Sequence, residues 1–93
     1  MTTFELGEIV KSNAGRDKNC YYLVTKIINN RYIEVADGKK RKTNNPKKKN
    51  VKHLEKTNFV AEELKLWLNK DKRVRNEDIK LVLKDFEDNK EAK

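Results

Sequence analysis

The chain has 93 residues, of which 35% are hydrophobic and 41% charged, and its formal net charge is +8. That length allows one small domain, or a domain with an appendage, and a thin stability margin. A single cysteine excludes an internal disulfide, and no run approaches the ~18 apolar residues of a membrane span.

The first half reads as short strands. Residues 7–11 (GEIVK) form a β run, followed by a loop of small and turn-forming residues at 13–19. Residues 20–28 (CYYLVTKII) carry the strongest strand signal. Their apolar side chains do not alternate cleanly, so a bend or bulge is expected. Asn29-Asn30 suits a two-residue hairpin turn. Residues 31–36 return as a strand, with Ile33 and Val35 on one face and Tyr32 and Glu34 on the other. Asp37-Gly38 marks the next turn. Residues 39–50 (KKRKTNNPKKKN) have no apolar residue besides Pro46 and read as a loop or a poorly ordered edge. Residues 51–56 supply a last short strand with Leu54 buried. Four or five such strands imply a small barrel or an orthogonal sandwich.

The period then changes. Val60, Leu64, Trp67 and Leu68 mark an amphipathic helix capped by Thr57 or Asn58. A polar connection at 69–75 leads to a second helix. Asn76 caps it, Glu77 and Asp78 suit its dipole, and Ile79, Val82, Leu83 and Phe86 form its apolar stripe. The tail at 88–93 should fray. Helices this short need a surface to pack on. The fold class expected is mainly β with an α appendage: a barrel over 1–57 and a two-helix extension over 58–93.

The charge is segregated. Residues 1–57 hold 14 basic and 6 acidic side chains, whereas residues 58–93 hold 9 of each. Within the first part, Lys39, Lys40, Arg41, Lys42, Lys47, Lys48, Lys49, Lys52 and Lys56 face only Glu55. So dense a cluster of one sign asks for a polyanion. Nucleic acid is the commonest such partner; an acidic membrane surface is the lesser alternative, because the cluster lacks the large apolar residues that would insert beside it.

The string Gly7-Glu8-Ile9-Val10-Lys11-Ser12-Asn13-Ala14-Gly15-Arg16-Asp17-Lys18 resembles the KOW motif, a strand, a glycine-containing basic loop and a second strand. The resemblance continues through Val35-Ala36-Asp37-Gly38, Arg41, Pro46-Lys47 and Lys49-Asn50-Val51-Lys52-His53-Leu54. It is similar to the fourteen-e type of large-subunit ribosomal protein and its bacterial KOW-containing relatives, over residues 5–57. The resemblance implies an SH3-like barrel, RNA binding (ribosomal RNA first), and ribosomal proteins or translation factors as further partners. The lone cysteine and the lack of a targeting or membrane-spanning run separately point to the cytoplasm. It departs at Asn19, where many such motifs carry glycine; asparagine tolerates the left-handed conformation, so the loop can still turn.

The residues expected at RNA are Lys11, Ser12, Gly15, Arg16, Asp17, Lys18 and Asn19 of the first loop. With them stand Lys39, Lys40, Arg41, Lys42, Lys47, Lys48, Lys49, Lys52 and His53. Gly15 exposes amide donors to phosphate, Arg16 offers a planar fork, and Lys18 adds a point charge. Asp17 caps the loop, orients Arg16 or accepts a hydrogen bond from RNA. The lysine run gives phosphate contacts that read little sequence. Tyr21, Tyr22 or Tyr32 can stack on bases where exposed. Cys20 reads as a small buried hydrophobe and Trp67 as core between helix and barrel.

No cofactor, metal site or catalytic constellation is expected. One histidine and one cysteine do not make the usual zinc patterns, and no P-loop or nucleophile elbow is present. The alternative to RNA binding is a protein-docking module, with Leu66 or Leu81 off the main stripes as its contact. Duplex DNA ranks last, for want of a base-reading helix.

Overall fold

The structure is a computed structural model describing the backbone of residues 3–91 and the side chains of residues 3–89. Five strands form one sheet: β1 (Glu8–Ser12), β2 (Tyr21–Ile27), β3 (Tyr32–Ala36), β4 (Lys47–Asn50) and β5 (Leu54–Val60). Two helices follow, α1 (Glu62–Asn69) and α2 (Asn76–Glu91). The protein is thus mainly β with an α appendage. The strand order is β4-β3-β2-β1-β5, every ladder antiparallel.

Consecutive strands β4 and β5 lie at opposite edges of this sheet, yet only a three-residue 3-10 turn, Val51–His53, joins them. Laid flat, five strands would hold the edges roughly 19 Å apart. The step from Asn50 to Leu54 reaches at most about 14 Å. The sheet must therefore curl until its edges approach. No ladder joins β4 to β5 among the described residues, so the curl does not close into a barrel.

Curling gives the sheet two apolar faces. The concave face encloses Phe4, Val10, Tyr22, Val24, Ile33, Val35 and Leu54. The convex face presents Ile9, Leu23 and Ala36 to Leu64, Val74, Ile79 and Leu83 from the helical segment. Burial of each of these large aliphatic side chains stabilises the fold by about 1.5–3 kcal/mol. This explains the β2 sequence. Tyr22 and Val24 point inward, Leu23 points to the helices, and so both parities are apolar. The expected irregularity is also present, as a register shift between Val24 and Lys26.

The α2 stripe packs as the periodicity predicts, as do Leu64, Trp67 and Leu68 of α1, but several local expectations are corrected. Asn29-Asn30 is not a two-residue turn. The connection spans residues 28–31, and the Asn29 side chain accepts from the amides of Arg31 (2.8 Å) and Tyr32 (2.9 Å). That local bond replaces the positive φ a tighter turn needs. Of the two readings of residues 39–50, a loop or a poorly ordered edge, residues 47–50 take the edge: they form the edge strand β4, for which β3 supplies a ladder despite their lack of apolar side chains. Thr57 and Asn58 cap no helix, and Val60 belongs to β5. There Asn58 takes φ 63° and β5 bulges against β1 between Glu8 and Val10. Helix α1 begins after Ala61 without a side-chain cap. Cys20, expected in the core, is exposed. The tail expected to fray is helical to residue 91; its last two residues lie outside the described ones.

Gly7 and Gly38 seat the helices. Both have φ 79°, and a Cβ on Gly38 would sit 2.5 Å from the Asn76 carbonyl oxygen. A Cβ on Gly7 would sit 2.9 Å from the Cβ of Lys65. The first turn of α2 can therefore rest directly on the β3–β4 connection. The Asn76 side chain then accepts from the Thr43 amide at 2.9 Å, rather than capping its own helix.

Candidate nucleic-acid interface

The β1–β2 connection, residues 13–20, is a closed loop on a fixed base. Its backbone is tied across the neck by Ser12 and Cys20 (2.9 Å) and by Asn19 and Ser12 (2.8 Å). Gly15 at φ 80° and Asn19 at φ 74° make the two left-handed turns, so asparagine does at Asn19 what glycine would do. The Asn13 amide donates to the His53 carbonyl at 3.0 Å, which moors the loop to the 3-10 turn.

Asp17 is the hub beneath. Its carboxylate accepts from Ser12 Oγ (2.8 Å) and from Tyr22 Oη (2.7 Å). It also meets Lys49 Nζ at 2.9 Å and Lys47 Nζ at 3.3 Å. Register explains the geometry. Lys47 pairs with Val35 and Lys49 with Ile33, so both lysines share the inward parity of β3. An inward lysine on an edge strand needs an anion, and Asp17 supplies it. Burial alone would raise the Asp17 carboxyl. The hydrogen bonds from Tyr22, Lys49, Ser12 and Lys47 outweigh it and hold its pKa well below the ordinary carboxylate range. Burial pushes the Tyr22 hydroxyl up, and the Asp17 carboxylate pushes it further.

The expected RNA residues therefore divide. Ser12, Asp17, Lys47 and Lys49 are turned to one another, with Ser12 fully buried and Lys49 8% exposed. They hold the loop in place, with a third of the Lys47 side chain still exposed. Tyr22 is buried with its hydroxyl on Asp17, so it offers no stacking face. Tyr32 is half-buried, with Lys48 Nζ 4.5 Å above its ring, and Tyr21 packs edge-on to Phe86. Lys11 is half-buried near the Tyr21 ring. Gly15, Arg16, Lys18, Asn19, Lys48, Lys52 and His53 are exposed along one edge, formed by the loop, β4 and the 3-10 turn. Arg16, Lys18, Lys48 and Lys52 form no ion pair among the described residues.

The remaining basic residues sit in an ordered turn. The Asp37 side chain accepts from the amides of Lys39 and Arg41, both at 2.9 Å, which fixes Lys39, Lys40 and Lys42 as exposed side chains and leaves Arg41 half-buried. This turn and the β1–β2 loop flank one open cleft of about 670 Å³, reaching from Asn19 past Lys39 to Lys80 and Lys84 of α2. Sequence reasoning passed over Lys80 and Lys84, because the balanced charge of residues 58–93 hid them. Their i, i+4 spacing on one helix face was the available signal.

Among the described residues no group of three or more His, Cys, Asp or Glu side chains could hold a metal. No helix among them is long and apolar enough to cross a membrane. No protein-family model matches the chain, and a search of curated proteins returns no match.

Proposed function

We propose that the protein binds structured RNA, with the β1–β2 loop at the contact and the lysine-bearing edge around it. The observation that carries this reading is the Asp17 hub. The one carboxylate of the loop is consumed inside, by Ser12, Tyr22, Lys47 and Lys49, which leaves Arg16 and Lys18 on a braced loop with no anion of their own. A rigid loop loses little conformational freedom on binding, and unpaired cations there are available to phosphate. Lys39, Lys40, Lys42, Lys48 and Lys52 extend the same sign on either side.

The reading rests further on the KOW-like string of residues 7–18. The curled five-stranded sheet, with a 3-10 turn between its last two strands, is compatible with an SH3-like barrel. Ribosomal RNA is the ligand this resemblance favours, in the cytoplasm and beside other translation components. The edge reads backbone shape more than sequence, since its exposed groups are chiefly point charges and one guanidinium.

The test is a binding titration against a folded RNA hairpin at several salt concentrations. Log affinity is expected to fall linearly with log salt. Arg16→Ala with Lys18→Ala should weaken binding and flatten that slope by about 0.7–0.9 for each phosphate left without its cation. Unlabelled duplex DNA should compete less well than the hairpin. Undiminished binding by the double variant, or no binding at low ionic strength, overturns the proposal.

A further inference from the structure

On the helical side lies a groove of about 320 Å³ between the end of β5, α1 and α2. Its floor is apolar: Phe59, Leu64, Trp67, Leu81 and Val82. Its rim is Glu62, Glu63, Asp78 and Asp85, with no lysine or arginine lining it. We propose that this groove docks a segment of another protein that is both apolar and basic, such as one face of a cationic amphipathic helix.

Three observations support that occupant. First, the floor is built, not incidental. The left-handed Asn58 and the β5 bulge turn Phe59 onto the helices, where its ring meets Phe86 edge-on at 5.5 Å. Phe59 nonetheless stays 41% exposed and Leu81 61% exposed. Single exposed apolar residues are ordinary; several lining one concavity mark a contact surface. Second, the size is at the low end for a binding pocket, which suits a few anchoring side chains of a helix laid in a groove. Third, the charge is opposite to that of the molecule. Glu62, Glu63 and Asp85 enter no ion pair among the described residues, while Asp78 accepts from the Arg75 amide at 3.1 Å and lies 3.9 Å from its guanidinium. A chain of net charge +8 that gathers four carboxylates around apolar side chains selects cations there and repels nucleic acid and anionic membrane.

Trp67 is the single tryptophan and lines the groove, so its fluorescence reports occupancy without a label. The probe is a synthetic lysine–leucine helical peptide, titrated into the full chain without RNA, which keeps the result independent of the RNA reading. A saturable Trp67 shift is expected, with none from the glutamate–leucine counterpart. Glu62→Lys with Glu63→Lys should weaken the peptide by about tenfold or more. Leu81→Asp should also weaken it. Both variants change exposed positions, and unchanged thermal unfolding verifies their folds. An unmoved Trp67 signal, equal response to the acidic peptide, or unaltered affinity of the charge-reversed variant overturns the proposal. So does a Trp67 shift with protein concentration alone, accompanied by a dimer mass in sedimentation, because the occupant would then be a second copy.

Discussion

The basic edge and the acidic groove use similar side chains to opposite ends. At the edge, the carboxylate lies inside: Asp17 faces Lys47, Lys49, Ser12 and Tyr22, and the cations Arg16 and Lys18 lie outside. At the groove the carboxylates ring an apolar floor and almost none is paired. Each region depends on one left-handed asparagine, Asn19 in the loop and Asn58 in the β5 bulge. Surface charge in this molecule thus follows from which ions the fold consumes internally. Counting lysines and glutamates along the chain does not give it.

The most severe perturbation unseats what both regions share. Gly38→Ala places a Cβ against the Asn76 carbonyl in a backbone that L-residues adopt with strain. We expect it to cost about 3 kcal/mol, the sum of left-handed strain and overpacking, read from denaturant unfolding. Because α2 borders both the cleft and the groove, RNA affinity and Trp67 emission should change together.

Asp17→Ala should separate the regions. Removing the hub leaves Lys49 buried without its anion and is expected to cost about 2–3 kcal/mol at neutral pH. RNA binding should weaken while Trp67 emission stays as in the parent. A moved Trp67 signal would mean that the edge and the groove are coupled and do not act separately. The same residue sets a pH dependence. Its pKa is depressed on folding, so its stabilisation is complete above the ordinary carboxylate range and is lost as pH falls through the folded value. The parent should therefore lose stability in acid more steeply than Asp17→Ala, by unfolding midpoints measured across pH. Tyr22 has the opposite sense. Its pKa is raised, so its contribution holds below the ordinary tyrosine range and is lost as pH rises through the folded value.

A smaller effect is expected from Lys80→Ala with Lys84→Ala. These residues border the cleft, and their removal should reduce RNA affinity alike for all sequences, by less than the Arg16 and Lys18 pair. A null result there would confine the edge to the loop, β4 and the 3-10 turn. The smallest is Leu81→Asp, which should leave stability within about 0.5 kcal/mol and RNA affinity unchanged. Loss of RNA affinity in that variant would place both ligands on one surface.

Much of the fold was legible. The first three strands, the irregular β2, the stripe of α2 and the capacity of Asn19 to turn all follow from side-chain type and spacing. The last strand, expected at 51–56, is instead β5 at Leu54–Val60, after a 3-10 turn at Val51–His53. The misreadings have specific causes. Thr57 and Asn58 look like helix caps because the residues that cap helices also suit bulges. Residues 47–50 leave loop and edge unresolved because nothing in KKKN says that Ile33 and Val35 lie across from it. Cys20 looks buried because its polarity is low, yet it stands at the loop neck.

The order of residues alone sets the alternation of short apolar runs, the two helical stripes, the loop that must turn at Gly15 and Asn19, and the excess of cations in residues 1–57. Those depend on local sterics and on neighbours a few residues away. The folded arrangement was needed to settle which lysines are free, that Tyr22 and Ser12 face inward to Asp17, and that β5 and the helices enclose an acidic groove. Those depend on register and packing between segments up to tens of residues apart, where shifting a strand by one position exchanges the inward and outward side chains.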